Sequence, residues 1–154
     1  MDVQNILEMK GNMALTIAPE ATIEEASSML RENYIGAIVV ANDAGTVAGI
    51  LSERDIAVAL PQYGGALGET LVSEIMTVDV VFCTPEMSVK QVLDIMVTNG
   101  IRHLPVLDGD KLSGVISLRD VVGNWLGGIT DGGDNATSEE PAFEPFENAQ
   151  GTAA

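Results

Sequence analysis

The chain has 154 residues, 46% of them hydrophobic, and a formal net charge of −16 from 23 acids against seven bases. Its length and apolar fraction suit one compact soluble domain, and no apolar run approaches the roughly 18 residues of a membrane span. So acidic a surface repels a phosphate backbone and argues against nucleic-acid binding. The single Cys83 makes no internal disulfide, as expected of a reducing cytoplasm.

In chain order, Met1 to Asn5 lacks the basic start and apolar stretch of a secretion signal. A short helix is expected over Val3 to Met9 and a short strand over Ala14 to Ile17. Thr22 and Glu25 then form a capping box ahead of a helix whose apolar face is Ile23, Ala26, Met29 and Leu30. Asn33 ends it. Two β-rich runs, Ala37 to Ala41 and Val47 to Leu51, are joined by the hairpin signal Asn42 to Thr46, and a second helix begins at Ser52. Leu60 to Thr70, with Pro61 and three glycines, reads as the linker.

The same programme then runs again. A short helix (Val72 to Met76) and a short strand (Val80 to Cys83) precede Ser88 and Gln91, which cap a helix bearing Val89, Val92, Leu93 and Met96. Asn99 and Gly100 end that helix. His103 to Leu107 and Leu112 to Ser117, joined by Asp108 to Lys111, form the second hairpin, and another helix starts at Ser117. The offset between copies is 66 at Pro19/Pro85 and 65 at Gly49/Gly114, so a single residue is lost, in the hairpin turn. Neither copy covers its own sheet on both faces, so the two are expected to pack together with helices at the interface. From Thr130 the chain is rich in Gly, Asp, Glu, Pro and Ala, with six acids and no base, and reads as a disordered acidic tail. The expected division is therefore repeat 1 over 1–60, linker over 61–71, repeat 2 over 72–129 and tail over 130–154.

Two β-α-β-β-α units resemble a CBS-domain pair, named for cystathionine β-synthase. Each closes on Gly-hydrophobic-x-Ser-x-x-Asp (Gly49 to Asp55, Gly114 to Asp120), and the second contains Arg102-His-Leu-Pro-Val106. The resemblance spans Val3 to Trp125 and leaves no catalytic domain over. It implies an α/β (α+β) fold of two tandem repeats with pseudo-twofold symmetry, and two clefts between the repeats. It also implies a homodimer and a non-enzymatic role reporting nucleotide state to a regulated partner. The implied ligand is an adenosine derivative: AMP, ADP or ATP, with or without Mg²⁺, and in some members NAD or S-adenosylmethionine.

Ser-x-x-Asp at a helix start puts both side chains on the first turn, where free N–H groups point outward. A carboxylate there accepts hydrogen bonds from vicinal ribose hydroxyls. The resemblance places that role on Asp55 and Asp120, with the hydroxyl role on Ser52 and Ser117. The same spacing is also a plain helix cap worth about 1 kcal/mol without any ligand. The adenine slot is expected along Ile17, Ala18, Ile35, Ala37 and Ile38 in the first copy, and Cys83, Thr84, Ile101 and Leu104 in the second. Ordinary core is the other reading of these side chains.

Phosphates need cations or helix N-termini. Arg102 and His103 are assigned to them, with Arg54 and Arg119 as further candidates. Gly36 and Ala37, the counterparts of Arg102 and His103, carry no charge, so the two clefts are expected to be unequal. Leu118 and Arg119 are bulkier than the family's usual residues and should crowd the cleft of Asp120. No catalytic residues are assigned: the chain has no nucleophile elbow, phosphate-binding Walker loop or dinucleotide glycine fingerprint. No Cys or His cluster has metal-binding spacing. The competing expectation is a ligand-free dimerisation or adaptor module acting through protein–protein contacts.

Overall fold

A computed structural model describes residues 1–11 and 14–130; the expected tail beyond Thr130 lies outside the described residues. The elements run α1 (Val3–Lys10), β1 (Thr16–Ile17), α2 (Ile23–Glu32), β2 (Ala37–Ala41), β3 (Val47–Ser52) and α3 (Glu53–Tyr63). A 3₁₀ helix (Gly64–Glu69) leads to α4 (Val72–Ile75), α5 (Val89–Asn99), β4 (His103–Asp108), β5 (Lys111–Ser117) and α6 (Leu118–Thr130). The expected caps form. The Thr22 N–H donates to the Glu25 carboxylate at 2.8 Å, and the Ser88 N–H donates to the Gln91 side-chain oxygen at 2.9 Å.

In the first half β1 pairs parallel with β2, and β2 pairs antiparallel with β3. The second half repeats the hairpin as β4 and β5, and both hairpins carry an irregularity at the same place, Val40/Ala41 and Val106/Leu107. The expected strand over Val80 to Cys83 does not form. Cys83 alone makes a parallel bridge to Val106, donating to the Pro105 carbonyl at 3.0 Å and accepting from the Leu107 N–H at 2.9 Å. The preceding rung would need an N–H from residue 105, and Pro105 has none. The expected linker is also more regular than its composition suggests. Pro61 sits inside α3, where its missing N–H weakens only the last turns, and the glycines tighten into the 3₁₀ helix.

Each half has its own apolar core, and each core is completed by a short helix that precedes the other half in sequence. Val3, Ile6 and Leu7 of α1 are buried among Val92, Met96, Leu104 and Ile116 of the second half. Val72, just inside α4, is buried among Ile23, Leu30, Ile38 and Leu51 of the first. The backbone docking is the same both times. Val3 and Gln4 donate to Met87 and Pro85, while Val72 and Ser73 donate to Ala21 and Pro19, all within 2.8–3.0 Å. A buried glycine makes room for each helix. A Cβ on Gly114 would lie 2.8 Å from Leu7 Cδ2, and one on Gly49 would lie 2.7 Å from Met76 Sδ. The two repeats are thus interlocked by exchanged helices.

Candidate functional site

The two Ser-x-x-Asp corners are helix caps, and they differ. In the first, the Ser52 N–H and hydroxyl both donate to Asp55 Oδ2, at 2.9 and 3.0 Å, and the Thr77 hydroxyl donates to Oδ1 at 3.3 Å. In the second, Asp120 Oδ2 accepts from the Ser117 N–H at 2.8 Å and from Lys10 Nζ at 2.7 Å. The Ser117 hydroxyl accepts from the Asp120 N–H at 3.1 Å. Asp120 Oδ1 has no protein hydrogen-bond partner among the described residues. Asp120 therefore keeps on Oδ1 acceptor capacity that Asp55 spends on Thr77.

Asp120 faces a cleft of about 1340 Å³. The α1 end supplies Lys10 and Gly11, and the end of α2 supplies Arg31, followed by Tyr34, Ile35, Gly36 and Ala37. Glu53 enters from the start of α3, Arg102 and His103 from the start of β4, and Ser117, Leu118, Arg119 and Asp120 from the β5–α6 corner. Gly36 is a matter of space. A Cβ there would lie 2.7 Å from Glu53 Oε1 and 3.1 Å from His103 Nε2, so a larger residue would displace both.

Electrostatics separate this cleft from the rest of the surface. Lys10, Arg31, Arg102 and Arg119 line it, four of the seven basic residues in a chain of net charge −16, against the two carboxylates of Glu53 and Asp120. Burial alone would raise the Asp120 pKa; the Lys10 and Ser117 hydrogen bonds outweigh it and hold the carboxyl below its ordinary value. For His103, burial lowers the pKa below 6.5, partly opposed by Glu53 and Asp120, so the ring is neutral near pH 7.

Of the residues singled out in the sequence, Ile35, Ala37, Arg102, His103, Ser117, Arg119 and Asp120 meet in this cleft. Gly36 and Ala37 face it together with Arg102 and His103, so the charged and uncharged counterparts share one wall system. Leu118 and Arg119 stand in the wall and leave the cleft open. Ser52, Arg54 and Asp55 lie outside it. Ile17, Ile38, Cys83 and Leu104 are buried core residues, and burial pushes the Cys83 thiol up to about 11. Ile101 packs against the second core, while Ala18 and Thr84 are exposed. Sequence reasoning missed Lys10, Arg31 and Glu53. Lys10 lies outside the repeated motif, and its one signal was rarity, a cation at a helix end in an acidic chain.

The CBS domain family model matches residues 7–62 and again 72–127. This chain belongs to the CBS-domain family. CBS domain-containing protein YhcV of Bacillus subtilis is 36% identical over 111 residues, 72% of this chain and 78% of that protein. An uncharacterized 17.7 kDa protein of Acidianus ambivalens is 38% identical over 68% of this chain and 63% of its own length. The crystal structure of the CBS-domain containing protein ATU1752 from Agrobacterium tumefaciens superimposes with a TM-score of 0.77 at 38% identity, covering 79% of this chain and 91% of that one. The CBS domain pair of protein MJ0100, solved with 5′-methylthioadenosine and S-adenosyl-L-methionine, has a TM-score of 0.73 at 26% identity, covering 84% and 98%. Among the described residues no helix is long and apolar enough to cross a membrane, and no group of three or more His, Cys, Asp or Glu is placed to hold a metal.

Proposed function

We propose that this CBS pair is a regulatory module that binds an adenine nucleotide in the cleft beside Asp120 and passes its occupancy to a partner protein. The observation that carries the reading is the gathering of Lys10, Arg31, Arg102 and Arg119 around one cleft of a strongly acidic chain. Cations held there against the field of the whole surface suit a polyanion. Beside them, Asp120 Oδ1 offers an acceptor that a ribose hydroxyl uses. Ile35 and Ala37 offer an apolar edge for the base. The donor set therefore fits a nucleoside phosphate. Adenosine-type ligands in MJ0100 support the ligand class. The local positive charge favours AMP, ADP or ATP over a sulfonium or an uncharged thioether, with NAD as the other phosphate-bearing candidate.

We read the module as non-catalytic and cytoplasmic. A buried thiol raised to about 11 is unreactive and unpaired, as a reducing compartment allows. A homodimer is part of the proposal. Helix α3 buries no residue, and Val58, Leu60, Trp125 and Leu126 on α3 and α6 are all more than half exposed, which suits cover by a second copy. The same surface favours the second reading, a ligand-free adaptor.

A thermal-shift panel of AMP, ADP, ATP, NAD, S-adenosylmethionine and 5′-methylthioadenosine, with and without Mg²⁺, separates the two. A ligand at 100 times its dissociation constant adds about 2.7 kcal/mol. Stabilisation by the phosphate-bearing ligands, greater than by the thioether, is the expected result. A flat panel on a protein that sediments as a dimer would leave the adaptor.

A further inference from the structure

Helix α1 depends on the half of the molecule it joins, and one side chain ties it to the cleft. At eight residues it is too short to stay helical alone in water, so it is held by the burial of Val3, Ile6 and Leu7 against the second half. Its far end is held by Lys10. The ammonium donates to the Val115 carbonyl of β5 at 2.9 Å and to Asp120 Oδ2 at 2.7 Å. Among the described residues this is the one ion pair between elements distant in sequence; Lys90 and Asp94 pair within a single helix. Lys10 also lines the cleft together with Arg102, His103 and Arg119. An ammonium has three donors, so one remains for a phosphate oxygen after these two bonds. The first half lacks the device. Matching Val3 to Val72 and Leu7 to Met76 by their shared docking bonds and glycine contacts puts Asp79, an exposed carboxylate, in the place of Lys10.

We infer that α1 is the output element of the module: a nucleotide in the cleft locks it onto the second half, and an empty cleft leaves it freer to detach. The inference rests on the reading of the cleft as a nucleotide site. With α1 docked, Lys10 neutralises Asp120 and adds a cation for the phosphates. With α1 detached, the same phosphates meet a bare carboxylate and one cation fewer, so the nucleotide binds the docked state more tightly. A ligand that prefers one of two states shifts the balance toward it, and by the same factor the docked helix strengthens the ligand. A short helix docked through a few side chains opens locally at low free energy, within reach of such a bias. Detachment bares the apolar face of Val3, Ile6 and Leu7 and the groove that held it, a surface that a partner protein can tell from the locked form.

Hydrogen–deuterium exchange of the α1 amides, with and without ATP, tests this in wild type and in Lys10→Met, which keeps the packing stem and loses the charge. ATP at a concentration that saturates each protein, set by calorimetric titration, should slow exchange across Ile6 to Gly11 about tenfold in wild type. It should leave α4 (Val72–Ile75) unchanged, and leave α1 unchanged in Lys10→Met. Wild type that binds ATP with no slowing in α1 would overturn the lock and leave the nucleotide site standing. Equal slowing of α1 in Lys10→Met would overturn it by removing Lys10 as the link. Equal slowing in α4 would do the same by reducing the effect to general stabilisation. Absence of ATP binding to wild type would remove the nucleotide reading and the lock together.

Discussion

The two halves of this molecule share a motif and partner it differently. Ser52 and Asp55 close on themselves: the hydroxyl donates inward, and both carboxylate oxygens have protein partners, the last being Thr77. Ser117 and Asp120 form the same cap with a 2.7 Å bond from Lys10 added, and leave one carboxylate oxygen without a protein partner beside a cleft ringed with cations. A capping box stabilises a helix by about 1 kcal/mol in either place. On the proposed reading, what would make one corner bind and the other only cap is which lone pairs remain once the cap is made.

The largest expected effect concerns the exchanged helices. Leu7→Ala removes a fully buried side chain that α1 inserts into the second core, and should cost about 3–4 kcal/mol in chemical denaturation. A cost near zero would mean that α1 does not complete that core. The paired glycines come next, and here the halves should diverge. A Cβ at Gly49 meets the Thr77 carbonyl at 2.8 Å as well as Met76, whereas at Gly114 its one close neighbour is the flexible end of Leu7. Gly49→Ala should therefore cost about 2–3 kcal/mol and Gly114→Ala about 1 kcal/mol; the reverse order would break the comparison. Arg102→Gln should weaken ATP about tenfold and AMP less, with a shallower salt dependence in the variant.

The smallest effect is that of pH. Because the fold holds His103 below its ordinary pKa of 6.5, the unfolded chain takes up the proton first. Stability from this group is full above pH 6.5 and falls as the solution is acidified toward the folded value. His103→Gln should flatten that limb. A bound polyphosphate would favour the imidazolium, so ATP affinity should rise on acidification through the same window in wild type and not in the variant.

Much of the fold was legible because the repeat fixes it locally. The caps at Thr22 and Ser88, the helix ends at Asn33 and Gly100 and both hairpin turns are short-range signals, and all stand where the spacing puts them. The exchange of α1 and α4 was not legible. Periodicity shows that Val3, Ile6 and Leu7 face a core, but not which of two similar cores. The missing third strand turns on one absent N–H at Pro105, which matters only once Cys83 is known to lie beside it. The same holds for the site. Arg102, His103, Ser117 and Asp120 were readable as motif, whereas Lys10, Arg31 and Glu53 reach the cleft through tertiary packing that no local pattern encodes.

The central claim is that one corner binds and the other caps. Isothermal titration of ATP into wild type, Asp55→Ala and Asp120→Ala tests it most directly. The account predicts affinity kept within about threefold in Asp55→Ala and lost by a factor of about thirty or more in Asp120→Ala, as removal of a charged hydrogen-bond acceptor entails. Equal losses in both variants, or binding that survives Asp120→Ala and fails in Asp55→Ala, would contradict it.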